Sequence, residues 1–103
     1  MSFRFRGTTV SGGSFNEDLI NLVWQKAYPV IGYDSNVYRK DRCGAWIKRS
    51  EYGNTLSQYG WEIDHDLPVS RGGKDELNNL QPLQWENNRH KSDNYPKWFC
   101  KIG

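Results

Sequence analysis

The sequence predicts an α+β domain: an N-terminal helix and β-hairpin scaffold, followed by a strand, a long loop, a second strand and a helix. Three observations lead there. Ser14 and Glu17 have capping-box spacing, and Leu19, Leu22, Val23 and Lys26 then recur at helical spacing until Pro29, which predicts a helix over residues 15–27. Ala45-Trp46-Ile47-Lys48-Arg49 and Trp61-Glu62-Ile63-Asp64-His65 have strand character, and the turn residues between them predict that the two pair as a hairpin. Finally, Leu80-Gln81-Pro82-Leu83 reads as extended, and residues 85–93 lack Gly and Pro, so they can form a helix before Pro96.

Residues 1–13, rich in Gly, Ser and Thr, read as a loose arm or a short edge strand. Gly72-Gly73 marks a turn in the long loop. At 103 residues the chain suits one domain, 1–103, and an aromatic content of 15% argues against disorder, because a few large rings can supply much of the buried area. Trp85, Trp98 and Phe99 are expected to pack near the C-terminus. The formal charge of +2 is too mild to announce a nucleic-acid binder by itself. Its distribution says more: residues 1–60 hold eight basic and five acidic groups, against six and seven in residues 61–103. No apolar run approaches the ~20 residues of a membrane span, so no membrane partner is expected. Cys43 and Cys100 cannot form a four-thiolate zinc site; they read as reduced thiols, and the expected location is cytoplasmic.

The chemistry concentrates after Gly60. Asp64-His65 places a carboxylate beside an imidazole at the end of a strand, and Asn88 returns a polar amide on a helix some two dozen residues later. Oxygen donors with few Cys or His favour a hard ion such as Mg²⁺, which is held by one or two protein groups and keeps its waters. The neighbouring histidine is then free to act as a base. Asp66, Asp75 and Asp93 are spare carboxylates that no spacing requires. Asn88 and His90 differ by about 200° around a helix, so only one of them can line a site.

Asp64-His65, Pro68, Gly72-Gly73, Asn79-Leu80 and Asn88-Arg89-His90-Lys91-Ser92-Asp93 together resemble the HNH nuclease motif, the ββα-metal finger of the His-Me superfamily, over residues 61–94. The ending is also similar to the same element in the HNH domain of RNA-guided CRISPR nucleases. The resemblance implies an endonuclease acting on DNA, with RNA as the alternative substrate. A non-catalytic DNA-binding module and a toxin-type nuclease, the latter with an immunity protein as partner, are the other readings. It implies that Asp64 and Asn88 ligate a divalent metal, Mg²⁺ first and Mn²⁺ second, that His65 is the general base, and that Asn79 orients His65. Lys91, Arg89 and Arg49 are the expected nucleic-acid contacts, Lys91 foremost because it lies one helical turn after Asn88. Gln84 and Asn87 stand near positions where relatives often carry zinc-binding cysteines, so no structural zinc is expected.

Overall fold

The computed structural model describes residues 4–103; residues 1–3 of the arm lie outside the described part. Its elements are α1 (Glu17–Trp24), β1 (Tyr38–Lys40), β2 (Trp46–Lys48), β3 (Trp61–His65), β4 (Leu80–Gln84) and α2 (Trp85–Lys91). They form an α+β arrangement of two antiparallel two-stranded sheets and two helices.

The first helix is capped by Asn16, whose side chain accepts from the Leu19 amide at 2.8 Å, so the cap falls two residues beyond Ser14. It stops at Trp24, and residues 25–27 leave it through tighter bonds from Lys26 to Val23 and from Ala27 to Trp24. Its inner face puts Ile20, Val23 and Trp24 into a core with Phe15, Ala27, Ile47, Trp61, Ile63 and Leu80. Trp24 and Trp61 meet with ring centroids 5.3 Å apart, and Tyr52 packs edge-on against Trp61 at 4.9 Å.

The hairpin differs from the expected one. Strand β2 pairs with β1, not with β3, in the register Tyr38–Lys48, Arg39–Ile47 and Lys40–Trp46. The turn between them is set by Asp41, whose Oδ1 accepts from the Cys43 and Ala45 amides, and by Gly44 at φ +84°. Strand β1 escapes a hydrophobic reading because its buried residue is Arg39, satisfied by the carbonyls of Ser35, Gln25 and Ala27. Strand β3 pairs instead with β4, from Trp61–Gln84 to His65–Leu80, and α2 follows β4 directly. Gln84 caps that helix by accepting from the Glu86 and Asn87 amides.

The cysteines are corrected as well: Cys43 and Cys100 form a disulfide, with Cα atoms 5.8 Å apart. The 56 intervening residues conceal that the C-terminal segment folds back on α2, where Asn87 Oδ1 accepts from the Lys101 and Ile102 amides and Asn87 Nδ2 donates to Asp41. This disulfide and the Asn87 bonds to Asp41, Lys101 and Ile102 hold the region where aromatic packing is expected from the sequence. Phe99 is 86% exposed, and Trp98 lies under the Arg42 guanidinium. No described helix is long and apolar enough to cross a membrane.

Candidate nuclease site

Alternation along β3 sends Glu62 and Asp64 toward α2, while Trp61 and Ile63 enter the core. All five residues of the strand are buried, so each polar side chain needs a partner. Asp64 Oδ2 receives Gln81 Nε2 at 2.8 Å from the facing register position and lies 3.2 Å from Lys91 Nζ. Both contacts fall on Oδ2. Burial raises the Asp64 carboxyl above its ordinary range, and the Lys91 charge and the Gln81 bond offset only part of that.

Asn88 is buried on α2, and its Nδ2 donates to Glu62 Oε1 at 2.8 Å. A carboxylate only accepts, so this bond fixes which way the amide faces. The other end, Asn88 Oδ1, is buried without a hydrogen-bond partner. A small cavity is lined by Asp64, His65 and Asn88, with Arg4, Arg6 and Gly7 of the N-terminal arm forming its far wall. An oxygen acceptor left unsatisfied beside a buried carboxylate suits a cation that takes oxygen ligands. Among the described residues no three His, Cys, Asp or Glu side chains cluster, so a cation here would take the carboxylate and the amide with solvent completing its shell.

His65 is 4% exposed. Its ring lies 6.0 Å from that of Phe15, and Nε2 is 2.8 Å from Asp75 Oδ1. Asp75 also accepts from the Val10 amide of the arm. Asn79 acts on the loop that follows His65 and makes no bond to the imidazole. Its Oδ1 accepts from the Leu67 amide, its Nδ2 donates to the Leu67 and Lys74 carbonyls, and its own carbonyl accepts from the Asp66 amide. These bonds fold the loop so tightly that a Cβ on Gly73 would stand 1.7 Å from the Leu67 carbonyl oxygen.

Of the three residues expected at nucleic acid, Lys91 and Arg49 are committed to other partners and Arg89 stays partly exposed. Lys91 is fully buried, its ammonium spent on Asp64 and on the His65 carbonyl at 3.1 Å, because a helical turn after Asn88 the side chain meets β3 and not solvent. Arg49 reaches away to Glu17 and Asn21 of α1 at 2.6 Å each. Arg89 pairs with Glu62 at 2.8 Å, but its side chain is 47% exposed. His90 points to solvent, opposite Asn88.

Sequence reasoning misses Glu62 and Gln81 and names Asp75 only as a spare carboxylate. Glu62 carries a signal, since it shares a strand face with Asp64. Gln81 becomes visible only with the strand register. Asp75 lies ten residues from His65 in a loop with no periodicity to place it.

The chain returns no match among curated proteins or among solved structures. The sequence model of the HNH endonuclease family matches residues 44–97, more than half of the chain and all of β3, β4 and α2. This chain belongs to the HNH endonuclease family.

Proposed function

We propose that this protein is a metal-dependent endonuclease that hydrolyses phosphodiester bonds in DNA. Family membership supports nuclease chemistry in general. The observation that carries the finer reading is the unpartnered Asn88 Oδ1, buried beside Asp64 and His65 at one cavity. Asp64 and Asn88 are the residues that would hold a divalent cation, Mg²⁺ in the first place and Mn²⁺ in the second. When bound, that ion supplies neutralisation of charge developing on the phosphate and on the departing 3′ oxygen.

His65 is the base. In the tautomer whose Nε2–H donates to Asp75 Oδ1, the lone pair lies on Nδ1, the atom that takes the proton from the attacking water. Asp75 then stabilises the imidazolium, and Asn79 fixes the loop that follows His65 and carries Asp75. Glu62 takes the amide nitrogen of Asn88 and leaves its oxygen without a protein partner. Arg89 stands near as an exposed phosphate contact, whereas Arg49 and Lys91 are committed elsewhere.

The test is cleavage of supercoiled plasmid and of a structured RNA, each with Mg²⁺, Mn²⁺, Zn²⁺ and EDTA, by the wild type and by His65→Ala. The wild type should cut DNA with Mg²⁺ and not with EDTA. His65→Ala should be ~10² to 10⁴ slower while retaining its circular dichroism spectrum. Equal cutting by the two proteins contradicts the base assignment, and cleavage of RNA alone contradicts the substrate.

A further inference from the structure

Away from the cavity, the outer face of the β1–β2 hairpin carries an aromatic and cationic surface. The register puts Tyr38, Lys40, Trp46 and Lys48 on one face, opposite the buried Arg39 and Ile47. Tyr33 joins them with its ring centroid 4.7 Å from that of Trp46, and the Lys48 amide bonds the Tyr59 carbonyl, which brings the Tyr59 ring to 5.9 Å from Tyr38. Lys40 Nζ lies 4.9 Å from the Trp46 ring and Lys48 Nζ 5.7 Å from the Tyr38 ring. Neither ammonium has a carboxylate partner among the described residues.

Ring packing alone would serve to shield a two-stranded hairpin from water. It does not require two unpaired lysines interleaved with four partly exposed rings. That combination matches a strand of nucleic acid whose bases are unstacked: flat rings accept base faces, and ammonium groups accept the phosphates between them. A duplex keeps its base faces inside its own stack, so it can use the lysines but not the rings. We propose that this hairpin face binds single-stranded nucleic acid, as a platform separate from the cutting site. The proposal extends the nuclease reading to the form of its substrate and rests on that reading only there.

The experiment uses the full chain in EDTA, where nothing is cut, and follows fluorescence anisotropy of a labelled 20-nucleotide oligo(dT) and of the same strand paired with oligo(dA). Tyr33 is 54% exposed, so Tyr33→Ala leaves the core closed and should weaken single-strand binding by about fivefold or more. Lys40→Gln with Lys48→Gln keeps the ring packing and should make the salt dependence shallower by about 0.7 in logarithmic slope for each phosphate that is no longer neutralised. Duplex affinity should change less than single-strand affinity in the tyrosine variant. Unchanged single-strand affinity in both variants, or no single-strand binding by the wild type, overturns the proposal and leaves this face to a protein partner. Cleavage of the oligonucleotide with Mg²⁺ separates the two readings. A wild type that binds through these residues but never cuts keeps the platform and loses the nuclease; one that cuts while both variants bind undiminished does the reverse.

Discussion

Lys91 and Asp64 show how far a single pair can shape this site. Both are buried, with side chains 0% and 5% exposed, so each charge is tolerated only because the other lies 3.2 Å away. Replacing Lys91 by Met should therefore destabilise the fold by about 3 to 5 kcal/mol, the range for breaking a buried ion pair, and adding Asp64→Asn should recover part of the loss. Chemical denaturation of the three proteins checks this. The pH dependence has a definite sign. Burial raises the Asp64 carboxyl, so the folded state holds that proton more tightly than the unfolded chain does. Ionised Asp64 then costs stability above its folded pKa, and that cost disappears as pH falls through it. Removing Lys91 withdraws an offsetting charge and should steepen this gain on acidification.

At the scale of residues, the sequence is most legible where chemistry and periodicity coincide. Asp64, His65 and Asn88 do line one cavity, and His90 faces away from Asn88 as a helix requires. Periodicity puts Lys91 on the right side of α2 but leaves it in solvent, because spacing gives a direction and not the distance to the neighbouring strand. Asp75 and Arg6 are out of reach, since loop residues meet the site through turns that no local pattern announces.

Among the elements, the N-terminal arm has the largest effect on access. Arg6 bonds Asp93 at 2.8 Å and Ser92 at 3.0 Å, Val10 donates to Asp75, and Gly7 lies so close that a Cβ there would stand 3.3 Å from the Glu62 Cβ. The arm thus covers the cavity that His65 lines. The Arg6–Asp93 pair is partly exposed, which makes it weak. Diethylpyrocarbonate should accordingly modify His65 more slowly than the exposed His90, and Asp93→Asn should raise the His65 rate relative to His90, as read by mass spectrometry. Equal rates for the two histidines in the parent protein contradict the covering arm. At Asp93, burial pulls the carboxyl upward, but bonds from Ser70 and Arg6 outweigh it and hold the group below its ordinary range. Its contribution is present above the unfolded-state pKa and is lost as pH falls through the depressed folded value, so amide protection of residues 4–13 should start to weaken as pH enters the usual carboxylate range and go on falling below it. Residues 4–13 read as loose because Gly, Ser and Thr offer no apolar stripe; what holds them is polar and distant in sequence.

Across the whole molecule, two features decide how the chain closes. The β3–β4–α2 unit is legible because Gly and Pro punctuate it and β3 alternates chemically. The hairpin partner is misread because β1 buries an arginine, and the C-terminal closure is hidden because a disulfide between residues 43 and 100 has no local signature. That disulfide closes a loop spanning more than half of the chain, and its loss should lower stability by about 2 to 4 kcal/mol. Guanidinium unfolding of the parent and of Cys43→Ser with Cys100→Ser measures it, and coincident midpoints would show that the Asn87 bonds to residues 101 and 102 suffice.

The proposed function rests on Asn88 Oδ1 and Asp64 holding a cation on which cutting depends. Its most direct test is a Mg²⁺ titration of the plasmid cleavage rate for the parent and for Asn88→Ala, with His90→Ala as the control on the opposite helix face. Asn88→Ala should shift the half-maximal Mg²⁺ concentration upward by about tenfold or more, the scale on which the loss of a single interaction in a metal's shells acts, while His90→Ala should superimpose on the parent curve. An Asn88→Ala curve that overlays the parent, or a shift in His90→Ala instead, would contradict it.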